Sequence, residues 1–153
     1  MNIERFEKAA FAVIGKKGST LDGAGFIPRL WDDANSHFGE VQHLAKRDEK
    51  GNLIGIWGAM SDFSGSFLPW EDFRNGLYLA GVECETDAEA PEGWTKWVVP
   101  GYEYLCVERE ADDTFSQAIK YLGEHHIPLA GAVHDFTDPK TGKSYMYFPV
   151  RRL

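Results

Sequence analysis

In the stretch GLYLAGVECE, residues 76–85, one carboxylate interrupts an apolar run: Glu83, two residues after Gly81. A lone carboxylate is expensive to bury unless something pairs with it. Glu83 therefore either ends a strand in water, with Glu85 and Asp87 following it, or is a pocket acid awaiting a partner that this chain does not supply. His134 offers other chemistry: a pocket hydrogen-bonding group, a proton carrier in a hydrolase, or a structural histidine beside Asp135. His125 and His126 close a helical segment, where a cation suits the carbonyl end. Asp32, Asp33 and Asp135 add acidity, although an Asp pair on a helix is also what marks a solvated face. No nucleophile–base–orienter set, phosphate loop or metal-ligand spacing occurs in the sequence, so no catalytic residue, cofactor or metal is assigned.

Whatever Glu83 does, the surrounding elements must position it. FAVIG (11–15), LIGIWGAM (53–60), LYLAGVECE (77–85), WTKWVV, YEYLCVER, LAGAVHDF (129–136) and SYMYFPV (144–150) have the β-branched and aromatic character of strands. FIPRLWDDANSHFG has helical spacing at Ile27, Leu30, Trp31, Ala34 and Phe38, with Pro28 in its first turn and Gly39 as its stop. DDTFSQAIKYLGEHH is the second helix, with Thr114-x-x-Gln117 in capping-box form. The order strand, helix, strand, strand occurs twice, which predicts an α+β domain of duplicated βαββ units. The first half runs over about residues 6–85 and the second over about 94–151, in one mostly antiparallel curved sheet. Two helices cover one face, leaving the other to form a cleft. Gly58, Gly81 and Gly131 interrupt strands, as glycines do at bends or close approaches. On alternation, Gly81 leaves space beside Glu83. The aromatic loop SDFSGSFLPWEDFRNG is either a lid or a dimer contact.

The chain has 153 residues, enough for a single domain with its own core, and 14% of them are aromatic. Its net charge of -8 repels phosphate backbones, so direct nucleic-acid binding is not expected. A pocket in that field concentrates cations instead. Cys84 and Cys106 form no CxxC and are expected as free thiols. The apolar stretch near the N-terminus is too short for a signal peptide, and no run approaches the length of a membrane span. A cytoplasmic location without membrane association is expected.

The order and wording of several segments resemble the gyrase-inhibitor-like (GyrI-like) effector-binding domains, which also sense drugs in multidrug-responsive bacterial transcription activators. The matching pieces are IPRLWDD, IGIWGAMSD, YLAGVE followed by PEGW, VPGYEYLC and YMYFPV, between about Phe6 and about Arg151. The resemblance implies two βαββ halves with helices on one face and an aromatic cleft holding an acid, which takes up lipophilic, often cationic, molecules. It places cleft aromatics at Trp31, Trp57, Tyr78, Tyr104 and Tyr147. Multidrug-sensing relatives usually carry Glu-x-Tyr in the strand after the second helix; here the stretch reads His134-Asp135-Phe136, and His134 stands where the glutamate is expected. Glu83 is then the candidate for the missing charge, and the expected ligand-binding set is Trp31, Trp57, Tyr78, Glu83, Tyr104, His134, Phe136 and Tyr147.

With no residues spare for a helix-turn-helix, the chain resembles the standalone members. Three functions follow. The first is binding of a lipophilic drug or metabolite, a cation or a neutral planar molecule, for sequestration, sensing or detoxification. The second is hydrolysis of cyclopropane-bearing genotoxic natural products in the same cleft, with Glu83 as acid or base. The third is a protein-interaction module that inhibits or protects a partner such as a topoisomerase. A homodimer is a further option.

Overall fold

The structure, a computed structural model, describes residues 1–153. Ten principal elements follow along the chain: β1 (Ile3–Lys8), β2 (Phe11–Ser19), α1 (Phe26–Ser36), β3 (Ile56–Ser61), β4 (Leu77–Cys84), β5 (Thr95–Val99), β6 (Tyr102–Glu108), α2 (Thr114–Glu124), β7 (His134–Thr137) and β8 (Ser144–Arg152). The eight strands form one sheet in the order β1-β6-β8-β7-β3-β4-β2-β5. Every pairing is antiparallel. The fold is α+β with a curved, open sheet.

Each half carries one strand more than its βαββ core, and the halves exchange these leading strands. β1 pairs with β6 of the second half, and β5 pairs with β2 of the first. β1 went unseen in the sequence because its residues alternate poorly and it lies at a sheet edge, where half of it faces water. The exchange also curls the sheet. Only Ala9 and Ala10 separate β1 from β2, yet five strands lie between them in the sheet. Laid flat, that gap would be ~29 Å at ~4.8 Å per strand, and the link can reach only ~11 Å. Pro100 and Gly101 make the same short jump from β5 to β6. The two links pass each other closely: a Cβ on Gly101 would lie 3.1 Å from the Ala10 nitrogen.

Alternation sorts the strand residues between the two sides of this curl. Inside are Phe11, Val13, Trp57, Ala59, Leu79, Val99, Tyr102, Tyr104, Cys106 and Tyr147. Outside, α1 covers Ala12, Ile14, Val82 and Cys84, while α2 covers Leu105, Val107, Met146 and Phe148. Both helices therefore lie on the convex face. The capping-box expectation at α2 is corrected: the Gln117 amide donates to the Asp113 carboxylate, and the Thr114 hydroxyl bonds Ala111. α1 stops at Ser36, before Gly39, with the His37 amide donating to the Asp33 carbonyl. β7 begins only at His134, because Gly131 passes against the Tyr102 ring, where a Cβ would lie 2.7 Å from the hydroxyl.

Gly81 does not open space beside Glu83. It faces Gly15 across β2 and β4, and a Cβ on either would collide with the opposite backbone. This glycine pair lets the two strands pass with their backbones in close contact. Gly81→Ala is expected to cost about 1–3 kcal/mol, read as a lowered Tm in thermal denaturation.

Candidate functional site

The eight residues singled out in the sequence divide between the two faces. Trp57, Glu83, Tyr104, His134, Phe136 and Tyr147 point inside the curl; Trp31 and Tyr78 lie outside, under the helices. The inner group is tightly packed. The Trp57 ring centroid is 4.7 Å from Phe11, 4.6 Å from Phe136 and 4.9 Å from Tyr147, and Tyr104 is 5.3 Å from Tyr147. Rings thus fill the space between the halves on the concave side. What stays open there is a basin of about 290 Å³ at the rim, floored by Phe6, Phe136, Tyr145 and Tyr147.

Glu83 is buried and it is paired, which overturns the expectation that no residue of its own chain neutralises it. Its Oε1 accepts the Trp57 indole N–H at 3.1 Å. The Lys8 ammonium, from the exchanged strand β1, lies 3.3 Å from Oε1 and 3.4 Å from Oε2. The same ammonium stands 4.5 Å from the Phe11 ring centroid and 5.8 Å from that of Trp57. The interior is a cation cage whose cation is built in. Lys8 carried no signal in the sequence, since only the strand exchange brings it to Glu83.

His134 is fully buried, and its Nδ1 accepts the Met60 amide at 3.0 Å. The proton then resides on Nε2, which has no partner. Burial pulls its pKa down to about 3, so the ring is neutral. The Tyr104 hydroxyl is likewise buried without a partner. Asp33 pairs with His37 at 2.9 Å on a solvated helix face, and the His125 ring stacks on Tyr121.

An unneutralised acid is found on the opposite face. Asp135 sits between His134 and Phe136 in β7, so alternation turns it outward, across from Gly58 of β3 and Met146 of β8. β7 and β3 are the strands where the two halves meet. The half-buried Asp135 carboxylate has no hydrogen bond and no ion pair among the contacts of the chain. Desolvation raises its pKa, and the charge of Arg109 opposes that rise.

Two cavities share Asp135. The first, about 140 Å³, is walled by Met60, Trp70, Phe73, Phe115 and Met146. The second, about 150 Å³, is lined by Trp31, Gly58, Tyr78 and Arg109. Together they form a groove along the seam, with Trp31 of α1 on one wall and Phe115 of α2 on the other. The aromatic loop supplies one end. The Trp70 indole donates to the Leu77 carbonyl at 3.0 Å, and the Phe73 and Phe115 rings meet edge to face at 5.6 Å. Gly58 leaves the space that the Tyr78 ring fills. The Tyr78 oxygen accepts the Trp31 indole N–H at 3.1 Å. Burial and the nearby Asp135 charge push the Tyr78 pKa up, so it keeps its proton and can donate it.

Met60, Phe115 and Arg109 carry no site reading in the sequence, and Asp135 counts there only as acidity near the presumed cleft. Strand parity was the available signal: His134 and Asp135 must face opposite sides, and of the two only Asp135 lines open space.

The sequence matches no protein-family model and none of the curated proteins. Solved structures do share the fold. One is SAV2435 bound to tetraphenylphosphonium, at 15% identity and a TM-score of 0.65, over 99% of this chain and 94% of that one. A second is a putative bacterial transcription regulation protein from Staphylococcus aureus, at 15% identity and a TM-score of 0.59, over 99% of both chains. A third is an integron cassette protein from Vibrio cholerae, at 14% identity and a TM-score of 0.58, over 99% and 97%. At these identities the likeness is one of fold. No helix of the chain is long and apolar enough to cross a membrane.

Proposed function

We propose that the chain is a GyrI-like ligand-binding domain that takes up lipophilic cations in the groove at Asp135, for sequestration or sensing. The observation that carries this reading is the state of that carboxylate: it stands among aromatic and methionine side chains with no partner of its own. Glu83 makes the contrast, since its charge is already met by Lys8. An apolar pocket with one convergent charge suits a small molecule with an apolar body and a positive centre. Trp31, Trp70 and Phe115 line the groove, and a cation resting over an aromatic ring gains roughly 0.5–2 kcal/mol per contact. The net charge of -8 favours cation capture. The tetraphenylphosphonium held by SAV2435 supports the reading through the shared fold.

Isothermal titration with tetraphenylphosphonium tests it. Wild type is expected to bind, and Asp135→Asn to bind about 30-fold more weakly or worse, as when one member of a buried charge pair is lost. Glu83→Gln is expected to leave the affinity within about twofold, because the two acids face opposite sides of the sheet. Affinity should also fall in acid as Asp135 takes up a proton, since only the ionised form attracts the cation. Undiminished binding by Asp135→Asn would sink the assignment.

A hydrolase would use the same groove, with the Tyr78 hydroxyl donating a proton and Asp135 accepting one. What separates it from a binder is turnover of a cyclopropane-bearing polycyclic substrate that disappears in Asp135→Asn.

A further inference from the structure

We infer that the groove is selective for amphoteric molecules, lipophilic cations that also carry an anionic group placed to meet Arg109. This rests on the reading of the groove as a cation site and specifies its ligand class. Arg109 follows the end of β6 and lines the same cavity as Asp135, Tyr78 and Trp31. Its backbone amide is anchored to the Ser144 carbonyl at 2.8 Å. Arg109 is exposed, and its guanidinium, like those of Arg74 and Arg152, has no hydrogen bond and no ion pair among the contacts of the chain, whereas Arg5, Arg29, Arg47 and Arg151 have theirs.

The two charges face a common space. Arg109 acts on the ionisation of both Asp135 and Tyr78, and Asp135 acts on Tyr78. They nevertheless do not join, as no nitrogen of Arg109 comes within 4.0 Å of an Asp135 oxygen. A cation and an anion without partners thus border one small cavity, beside a Tyr78 hydroxyl that accepts from Trp31 and has its own proton to donate. A symmetrical organic cation satisfies Asp135 alone. A molecule that presents a carboxylate as well would engage the Arg109 fork, a charge-assisted contact that is strong when bidentate.

The experiment uses two dyes with one xanthylium cation: rhodamine 110, which has a free carboxylate, and its methyl ester rhodamine 123. Fluorescence titration of the full chain is expected to show the free acid binding roughly tenfold tighter, the worth of one hydrogen bond to a charged group. Arg109→Gln should erase that preference, while the ester and tetraphenylphosphonium still bind, no more weakly than before, because a repelling charge has been removed from the cation site. Asp135→Asn should weaken both dyes alike. Equal binding of the two dyes by wild type, or a preference that survives Arg109→Gln, overturns this inference alone. If wild type binds neither dye nor tetraphenylphosphonium, the cation site itself falls, and this inference with it.

Discussion

Lys8→Met is expected to lower the unfolding free energy by about 3 kcal/mol, the cost of stranding one member of a buried ion pair. For a chain of this size the loss corresponds to a Tm drop of roughly 6–12 °C. The reason lies in the geometry of the curl. Lys8 belongs to β1, which pairs with the second half, while Glu83 belongs to β4 of the first. Their contact closes the gap between the halves, and only 4% of the Glu83 side chain is exposed. A quarter of the Lys8 side chain stays in water, which holds the expected loss to the lower end for buried pairs.

The double variant Lys8→Met with Glu83→Gln separates the ion pair from simple packing. Glutamine still offers an oxygen to the Trp57 indole but needs no counter-charge, so most of the stability should return. Chemical denaturation of the four proteins gives the coupling energy directly. Losses that merely add would mean that the pair does not hold the curl shut.

The second large effect is in pH. His134 is neutral in the folded chain, with its pKa pulled down to about 3 by burial, whereas an unfolded histidine titrates near 6.5. Between those values the unfolded chain binds a proton that the native chain refuses. Stability therefore falls as pH falls through that window, by up to about 1.4 kcal/mol per pH unit from this one group. Above pH 6.5 the contribution is flat, because both states are neutral. His134→Asn keeps an acceptor for the Met60 amide and removes the titration. Its stability should depend on pH less steeply than that of wild type between about pH 6 and 4. Parallel curves for the two proteins would exclude His134 as the source.

The inner rings and the groove respond to different physics, and that difference explains what could be read in advance. Residues with period-2 alternation, such as Val13, Trp57, Leu79 and Tyr104, announced strands because a pleated strand sends alternate side chains to opposite faces. The stripes at Ala34 and at Ala118 and Leu122 announced helices for the corresponding reason. The aromatic excess announced a ring-lined interior. None of these patterns carries a sign for the faces: alternation says that Tyr78 and Glu83 point apart, but not which of them meets a helix.

Local pattern thus determined the strand and helix segments, the duplicated order and the presence of an acid among aromatic residues, because propensity and periodicity act over a few neighbouring residues. The exchange of β1 and β5, the consequent curl, and the delivery of Lys8 to Glu83 were decided only in three dimensions. They depend on pairings between residues as distant as Lys8 and Tyr102. The same long-range closure filled the concave side with rings, supplied Glu83 with its cation, and left Asp135, on the other face of β7, as the acid without a partner.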